Sequence, residues 1–474
     1  MVFSSIVFLL YFLPVFLFCY FFVDKKFKNA VLLIFSIFFY AWGAPKFIFV
    51  ILITTFIDFN LVAWMERSAN ENRRKLLLTL SVSLNLGLLF YFKYSGFFVE
   101  NLNVLLTSLG LKEKYWPELI LPIGISFYTF ETITYVVDVY RRVHKPLKKF
   151  WDYQLYIILF PKLIAGPIVR YHELADQIDD RAANETIDNR LTGFYRFVLG
   201  LAKKVLIANS VGTLADQVFG QDTKDLDTIT AWVGSLAYTF QIYFDFSGYS
   251  DMAIGLAKML GFKFPENFNN PYISRSITEF WRRWHMTLGK WMKNYLYIPL
   301  GGNRVNNKLR LYFNLWLVFL VSGFWHGASW NFIFWGAFHG FFIVLERTAY
   351  GDLLMKIGKF PSIVLTFIIV NISWVFFRMP DMNEAFRFVQ RMFTISYHPI
   401  LKFDNEFKFY LALAIFFSFF AIVKQTKKIQ ADVYFNNYTN SRHLIMFVLC
   451  IILFVLSVGY ITSTNFNPFI YFRF

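Results

Sequence analysis

The chain has 474 residues, of which 57% are hydrophobic and 16% are charged, and its formal net charge is +16. An ordinary soluble domain carries about 25% charged residues, and a surface in water needs more polar side chains than this composition supplies. The composition excludes a soluble enzyme, a disordered chain and a DNA-binding module. It predicts a polytopic membrane protein whose excess Lys and Arg marks cytoplasmic loops and contacts with anionic lipid, with no nucleic-acid partner.

Eleven apolar segments are predicted to span a bilayer, which takes about 20 apolar residues. They are Phe3–Val23, Val31–Tyr40, Phe47–Met65, Leu76–Phe92, Leu119–Tyr140, Ile229–Phe246, Leu311–Phe324, Trp330–Leu345, Ile363–Phe377, Phe409–Val423 and Leu444–Ile461. The first segment is too long for a signal-peptide core and lacks a small-residue cleavage site, so we expect it to be retained. The pattern predicts an all-α protein with a single domain over residues 1–474.

Basic loops determine the predicted orientation. Lys and Arg are concentrated after the first, third and fifth segments and again before the last one. Because positively charged loops remain in the cytoplasm, alternation places the N-terminus outside. The last segment then also leaves the C-terminal residues Asn465–Phe474 outside.

The stretch from residue 150 to residue 310 does not fit simple spanning helices. Residues 160–168 are apolar but contain two prolines and a glycine, which predicts a re-entrant segment that is buried in protein or lines a cavity. Residues 280–295, placed at 100° per residue, form an aromatic arc opposite a basic face. This pattern predicts one amphipathic helix at the cytoplasmic interface, whose basic face binds either anionic lipid or substrate phosphate.

Two histidines are candidate functional groups. His326 follows an apolar segment and has small residues around it. An imidazole at membrane depth is costly unless it has partners or faces water, and it can act as a general base. The alternative for His326 is a packing histidine that is hydrogen-bonded between helices. His285 lies at the edge of the aromatic arc, where it is either functional or an interfacial side chain that extends toward water.

Acidic residues and the other histidines are expected to be mainly structural. Asp245 and Asp251 flank a glycine at the end of an apolar segment, and we expect them to support a helix break there by accepting hydrogen bonds. Three further intramembrane acids are expected to pair with Arg or Lys: Asp58, Glu131 and Asp138. His339 is expected to be structural. Four histidines are expected in solvated loops: His144, His172, His398 and His443.

Motifs for nucleotide binding and for a serine nucleophile are absent from the sequence, and no His/Cys/Asp cluster has zinc-ligand spacing. The two cysteines, Cys19 and Cys450, lie in apolar runs and predict neither a disulfide framework nor a metal site. The sequence therefore predicts no metal and no bound cofactor.

Eight motifs in chain order resemble one family. They are Pro122–Tyr128 (PIGISFY), Gly166–Arg170 (GPIVR), Asp245–Asp251 (DFSGYSD), Asn269–Tyr272 (NNPY), Glu279–His285 (EFWRRWH), Pro299–Asn303 (PLGGN), Phe324–Gly327 (FWHG) and Phe469–Phe472 (FIYF). The chain resembles the membrane-bound O-acyltransferases, and within them the bacterial branch that acts on alginate, peptidoglycan or teichoic acid. The resemblance covers nearly the whole chain, with a motif-rich core at about 119–345. It implies tilted, re-entrant and interfacial helices around a central funnel.

The resemblance also implies a site. His326 would be the general base, and His285 or a nearby backbone N–H would orient the acyl group or stabilise the oxyanion. The implied supporting or funnel residues are Asp245, Ser247, Tyr249, Asp251, Asn269, Trp281, Arg282 and Trp325. The residues expected to bind donor or lipid phosphate are Arg282, Arg283, Lys290 and Lys293. The acyl donor would be a cytoplasmic thioester, most simply acetyl-CoA.

The function implied by the resemblance is O-acetylation of an extracytoplasmic polysaccharide such as alginate, from the cytoplasmic (inner) membrane. The expected partners are membrane lipids, the polysaccharide and an extracytoplasmic acetyltransferase of SGNH type. Peptidoglycan O-acetylation and D-alanyl transfer to teichoic acid are alternatives within the class. A proton-coupled transporter, with buried acids and histidines as a proton relay, is the alternative from another class.

Overall fold

The computed structural model describes residues 1–396, 403–463 and 469–470, and within these ranges the chain is helical, with no β-strand. The chain divides into two compact units. The first comprises Met1–Arg190 with Leu256–Pro265, and the second comprises Leu191–Gly255 with Glu266–Phe474. A single functional domain over residues 1–474 remains a prediction.

Most of the helices are joined by short connections, and longer ones run over residues 109–124, 260–276 and 293–307. The first nine are α1 (Leu13–Phe22), α2 (Lys28–Gly43), α3 (Ile48–Arg67), α4 (Glu71–Leu89), α5 (Ser95–Ser108), α6 (Ile125–Tyr140), α7 (Phe150–Ile158), α8 (Phe160–Leu163) and α9 (Tyr171–Asp179). The next seven are α10 (Ile187–Ala202), α11 (Asn209–Phe219), α12 (Thr228–Met259), α13 (Ile277–Trp281), α14 (Met286–Met292), α15 (Lys308–His326) and α16 (Trp330–Leu345). The last six are α17 (Ala349–Lys356), α18 (Lys359–Arg378), α19 (Met382–Phe393), α20 (Asn405–Phe419), α21 (Lys424–Tyr434) and α22 (Asn440–Ser463).

Six helical stretches in the described ranges are long and apolar enough to cross a membrane. They are Ile48–Arg67, Glu71–Ser108, Ile187–Phe219, Lys359–Arg378, Asn405–Ile422 and Asn440–Ser463. Two shorter apolar helices, Val7–Phe22 and Trp330–Leu345, accompany them. The protein is therefore an all-helical, multi-pass membrane protein, as the composition predicts, whereas the count of eleven spans stays a prediction.

The stretch Ile187–Phe219 was not among the predicted segments. Four basic side chains interrupt its apolar character in the sequence, and three of them are paired with acids within the second unit. Arg196 and Lys203 contact Asp251 at 2.9 and 2.6 Å, and Lys204 contacts Asp245 at 2.5 Å. A charge at membrane depth is tolerated when it has such a partner, and here each partner lies more than 40 positions away in the sequence.

The predicted helix break at Gly248 is wrong, because α12 passes through this residue as one helix of 32 residues. Glycine serves close packing here. A Cβ atom on Gly248 would lie 2.7 Å from the carbonyl oxygen of Gly200 in α10, and one on Gly255 would lie 2.6 Å from that of Gly193. The two helices approach backbone to backbone, which only small residues allow.

In the first unit, the segment 160–168 is buried, as its prolines and glycine predict. It begins with the short α8 and continues without regular structure. Lys162 in α8 forms a fully buried ion pair with Glu131 in α6, and its ammonium lies 4.6 Å from the centre of the Tyr156 ring. The start of α6 is later than predicted, at Ile125, because Gly124 adopts a left-handed conformation with φ 76°.

Several predicted roles of polar residues change in the structure. Glu131 pairs with a lysine as expected, but Asp58 accepts hydrogen bonds from Ser81 and Asn85 instead. His172 is not simply solvated, because its Nδ1 lies 2.7 Å from Asp138. His144 contacts Asp176 and His443 contacts Tyr195, both half-buried. The buried His339 contacts Ser373, and His398 lies outside the described residues.

Candidate active site

The predicted amphipathic helix over residues 280–295 is wrong, because the chain breaks at His285. Helix α13 ends at Trp281 and α14 begins at Met286, and His285 has a left-handed backbone with φ 45°. The break is held from outside the segment: Met286 N–H donates to the Asn267 carbonyl, and the Arg283 carbonyl accepts from Asn269 N–H, both at 2.9 Å. These bonds satisfy backbone groups in place of a continuous helix ladder.

The side chain of His285 is buried, with 1% of the residue exposed. Its Nδ1 lies 3.1 Å from Oδ1 of Asn267, and the ring of Phe246 meets it edge to face at 4.7 Å. Nε2 has no hydrogen-bond partner among the described residues. His285 lies outside the six candidate spans, and burial lowers its pKa to about 3, so the imidazole is neutral at physiological pH.

His326 is the last residue of α15, at the turn into α16, and it is 6% exposed. Three aromatic rings surround it: Trp325 at 4.8 Å, Trp335 at 5.2 Å and Phe377 at 5.3 Å between ring centres. Gly327 permits the turn to pass Phe332, since a Cβ atom there would lie 2.1 Å from that ring. The site around His326 is therefore tightly packed and aromatic.

The structure brings the two predicted catalytic histidines to the same tryptophan. The Trp325 indole lies 4.8 Å from the His326 ring and 6.4 Å from the His285 ring. Trp281, another predicted site residue, contacts Trp335 at 5.4 Å, and Trp335 in turn contacts His326. Residues from α13, α15 and α16, between positions 281 and 335 of the sequence, thus form one aromatic cluster.

A cavity of about 490 Å³ opens beside this cluster. His285 and Trp281 line it, as does Ser322, one turn before His326. Its lining residues include four exposed cations and no acid: Arg282, Lys290, Lys293 and Arg347. Such a single-sign field attracts anionic groups. His326 is not itself among the lining residues, so the cavity reaches the cluster on the His285 side.

The cations that line the cavity differ from the predicted set by two residues. Arg283 does not line the cavity, because it forms an ion pair with Glu279 at 2.8 Å and donates to the Asn269 carbonyl. Arg347, which the sequence analysis did not single out, does line it. In the sequence Arg347 follows the apolar segment of α16 and is indistinguishable from an ordinary loop cation.

The motif Asp245–Asp251 supplies structural support and a second cavity. Asp245 pairs with Lys204 and accepts the backbone N–H of Ile470 at 2.7 Å, and the ring of Tyr249 lies 4.8 Å from that of Phe469. The second cavity, of about 180 Å³, is lined by polar residues that include Ser247, Asp251, Asn267 and Asn269. Asn267 was missed because no spacing rule links it to His285, 18 positions later.

The sequence matches the model of one family, described as "MBOAT, membrane-bound O-acyltransferase family", over residues 34–380. The chain belongs to the membrane-bound O-acyltransferase family and is an O-acyltransferase. It is 39% identical to a probable alginate O-acetylase AlgI of Pseudomonas putida over the full length of both chains. It is 45% identical to a protein of the same name from Azotobacter vinelandii, over 84% of this chain and 79% of that one. It is also 38% identical to a peptidoglycan O-acetyltransferase of Helicobacter pylori, over 83% of this chain and 80% of the other.

Proposed function

We propose that this enzyme moves an acetyl group from cytoplasmic acetyl-CoA across the membrane for O-acetylation of an extracytoplasmic polysaccharide, such as alginate. One observation carries the proposal: two histidines adjoin Trp325, beside a cavity whose charged lining residues are all cations. The acetyl group and the alginate are inferred from the relatives of Pseudomonas putida and Azotobacter vinelandii, which are named probable alginate O-acetylases. The cations attract the phosphates of the donor electrostatically.

The proposed chemistry needs one general base. His326 accepts the proton of the acceptor hydroxyl while its oxygen attacks the thioester carbonyl carbon. The tetrahedral intermediate then collapses, the carbon–sulfur bond breaks, and the departing thiolate takes the proton from the His326 imidazolium. The product is an oxygen ester and a free thiol. His285 acts on the bound substrate from the cavity side.

The proposal places the enzyme in the cytoplasmic (inner) membrane with both termini outside. An extracytoplasmic acetyltransferase of SGNH type then receives the acetyl group and esterifies the polymer. The anionic lipids of the inner leaflet bind the remaining basic loops. Peptidoglycan O-acetylation is the second candidate acceptor reaction, and the Helicobacter pylori relative favours it.

The test is acetyl transfer by the purified membrane complex with radiolabelled acetyl-CoA. Wild type should label the polysaccharide, and His326→Ala should lose at least about 100-fold in rate, since general-base catalysis contributes 10²–10⁴-fold. His443→Ala is a matched control, because His443 contacts Tyr195 and lies outside the aromatic cluster. Label on peptidoglycan alone would move the acceptor to the second candidate. Unchanged transfer by His326→Ala, at equal protein level, would refute the assigned base.

The same strains separate the enzyme from a transporter. Polymer export should continue in His326→Ala cells, with the exported polymer lacking acetyl ester. Loss of export together with intact acetylation of the retained polymer would favour the proton-coupled transporter.

A further inference from the structure

Three hydrogen bonds converge on Oδ1 of Asn267. The backbone N–H of Thr287 donates at 3.3 Å, the Thr287 hydroxyl donates at 2.8 Å, and His285 Nδ1 lies at 3.1 Å. The other end of the amide, Nδ2, donates to the Ser250 hydroxyl at 3.0 Å. A backbone N–H can only donate, so the atom that faces Thr287 is the carbonyl oxygen and the orientation of the amide is settled by its neighbours.

This orientation determines the protonation of His285. Because Oδ1 can only accept, Nδ1 of His285 carries a proton. A neutral imidazole has one ring proton, so Nε2 keeps its lone pair. The rings of Phe246 and Trp325 adjoin His285, and the charged groups of its cavity are the cations Arg282, Lys290, Lys293 and Arg347. Burial of the imidazole disfavours its charged form and lowers the pKa of His285.

Asn267 is well placed to hold this arrangement. It is 1% exposed, and Thr287 and Ser250, its other partners, are each 2% exposed. Its backbone carbonyl also accepts from Met286 N–H, directly after His285. Main chain and side chain of one residue therefore hold both the backbone break and the imidazole.

We propose that Asn267 is a positioning residue that keeps His285 as the Nδ1–H tautomer, so that Nε2 accepts a hydrogen bond from an O–H or N–H group of the bound substrate. This inference rests on the proposed function, in which His285 faces substrate. Of the alternatives that the sequence analysis leaves open, it favours a nearby backbone N–H as the oxyanion donor, because a neutral imidazole in this tautomer has no proton on Nε2 to donate to an oxyanion. Oxyanion stabilisation then falls to a different donor.

The test uses two substitutions of Asn267 and compares their kcat for acetyl transfer at neutral pH. Asn267→Leu removes the acceptor and should lower kcat about 10- to 100-fold, the range found when a metal-bound histidine loses the partner that orients it. Asn267→Asp keeps an oxygen that accepts from Nδ1–H. It should retain most of the wild-type kcat, because the carboxylate holds the same tautomer and Nε2 keeps its lone pair.

Ser250→Ala is the matched control, since it removes only the partner of Nδ2 and should lower kcat far less than Asn267→Leu. An equal loss of kcat in Asn267→Asp and Asn267→Leu, or a wild-type rate for Asn267→Leu, would overturn the proposal. Nitrogen-15 spectra of histidine-labelled wild-type protein, assigned with His285→Asn, give a second measurement that needs no Asn267 variant. A protonated Nε2 and a bare Nδ1 would overturn it as well. Wild-type protein without acetyl transfer would instead contradict the proposed function.

Discussion

Replacing Gly200 with alanine should destabilise the protein through the contact between α10 and α12. A Cβ atom at this position would lie 2.5 Å from the Gly248 carbonyl oxygen and 2.7 Å from the Met252 nitrogen. Ordinary van der Waals contact begins near 3.4 Å, so a Cβ atom would overlap two backbone atoms by 0.9 and 0.7 Å. Backbone atoms cannot rotate away as a side chain can, so the helices must separate.

Overpacking of this kind costs about 1–3 kcal/mol, and the rigid partners place Gly200→Ala near the upper value. The higher helix propensity of alanine returns at most about 1 kcal/mol, which leaves a net loss of about 2 kcal/mol. Gly459→Ala in α22 is the matched control, because a Cβ atom there meets nothing within 4 Å. It should be neutral or slightly stabilising.

The measurement is the apparent Tm of each purified variant in the same detergent, read from the loss of the monodisperse peak after heating. Gly200→Ala should melt below wild type, and Gly459→Ala should not. Equal Tm values for Gly200→Ala and wild type would refute the close approach of α10 and α12. An equal fall in both variants would show that the glycine backbone, not the contact, matters.

Two further predictions concern charge. The double variant Lys290→Gln/Lys293→Gln should raise KM for acetyl-CoA about threefold to tenfold with little change in kcat, because exposed ion pairs each contribute up to about 1 kcal/mol. Arg283→Gln should raise KM less, since Glu279 already holds that guanidinium, and an equal rise would contradict the assigned cavity lining. Asp251→Asn should cost about 3 kcal/mol of stability, near the lower end for breaking a buried ion pair, because Arg196 keeps Glu266 while Lys203 loses its carboxylate partner. Asp216→Asn, which breaks the more exposed pair with Arg378, should cost less than about 1 kcal/mol in the same thermal assay, and a reversed order of the two would count against the buried network.

The sequence predicts spans well where the apolar character is continuous. The predicted segment Phe47–Met65 matches Ile48–Arg67 to within two residues at each end, and Leu444–Ile461 falls within Asn440–Ser463. It fails for Ile187–Phe219, where the burial of Arg196, Lys203 and Lys204 depends on acids that come much later in the chain. Hydropathy registers the charge of a side chain and has no information about its partner.

The prediction of the candidate site has the same limit, because local sequence does not show contacts with distant residues. The two histidines could be selected from local sequence, because an imidazole among apolar residues needs an explanation wherever it lies, whereas Trp325 followed only from the family resemblance. The helix break at His285 could not, because it depends on the backbone of Asn267 and Asn269. Periodicity assumes that one segment satisfies its own hydrogen bonds. Here the segment that contains Asn267 and Asn269 supplies them. Among the cations, Arg283 does not line the cavity and Arg347 does.

The left-handed backbone of His285 limits which amino acids this position can accept. Apart from glycine, residues in this conformation are mainly Asn, Asp and His, and β-branched side chains are strongly disfavoured. A library randomised at position 285 and selected only for stable expression should therefore be enriched in these four types. Chain geometry alone pre-selects side chains that are short and polar or able to carry a proton, before any selection for activity. Few amino acid types are therefore available at position 285 when such a site gains or exchanges its functional side chain.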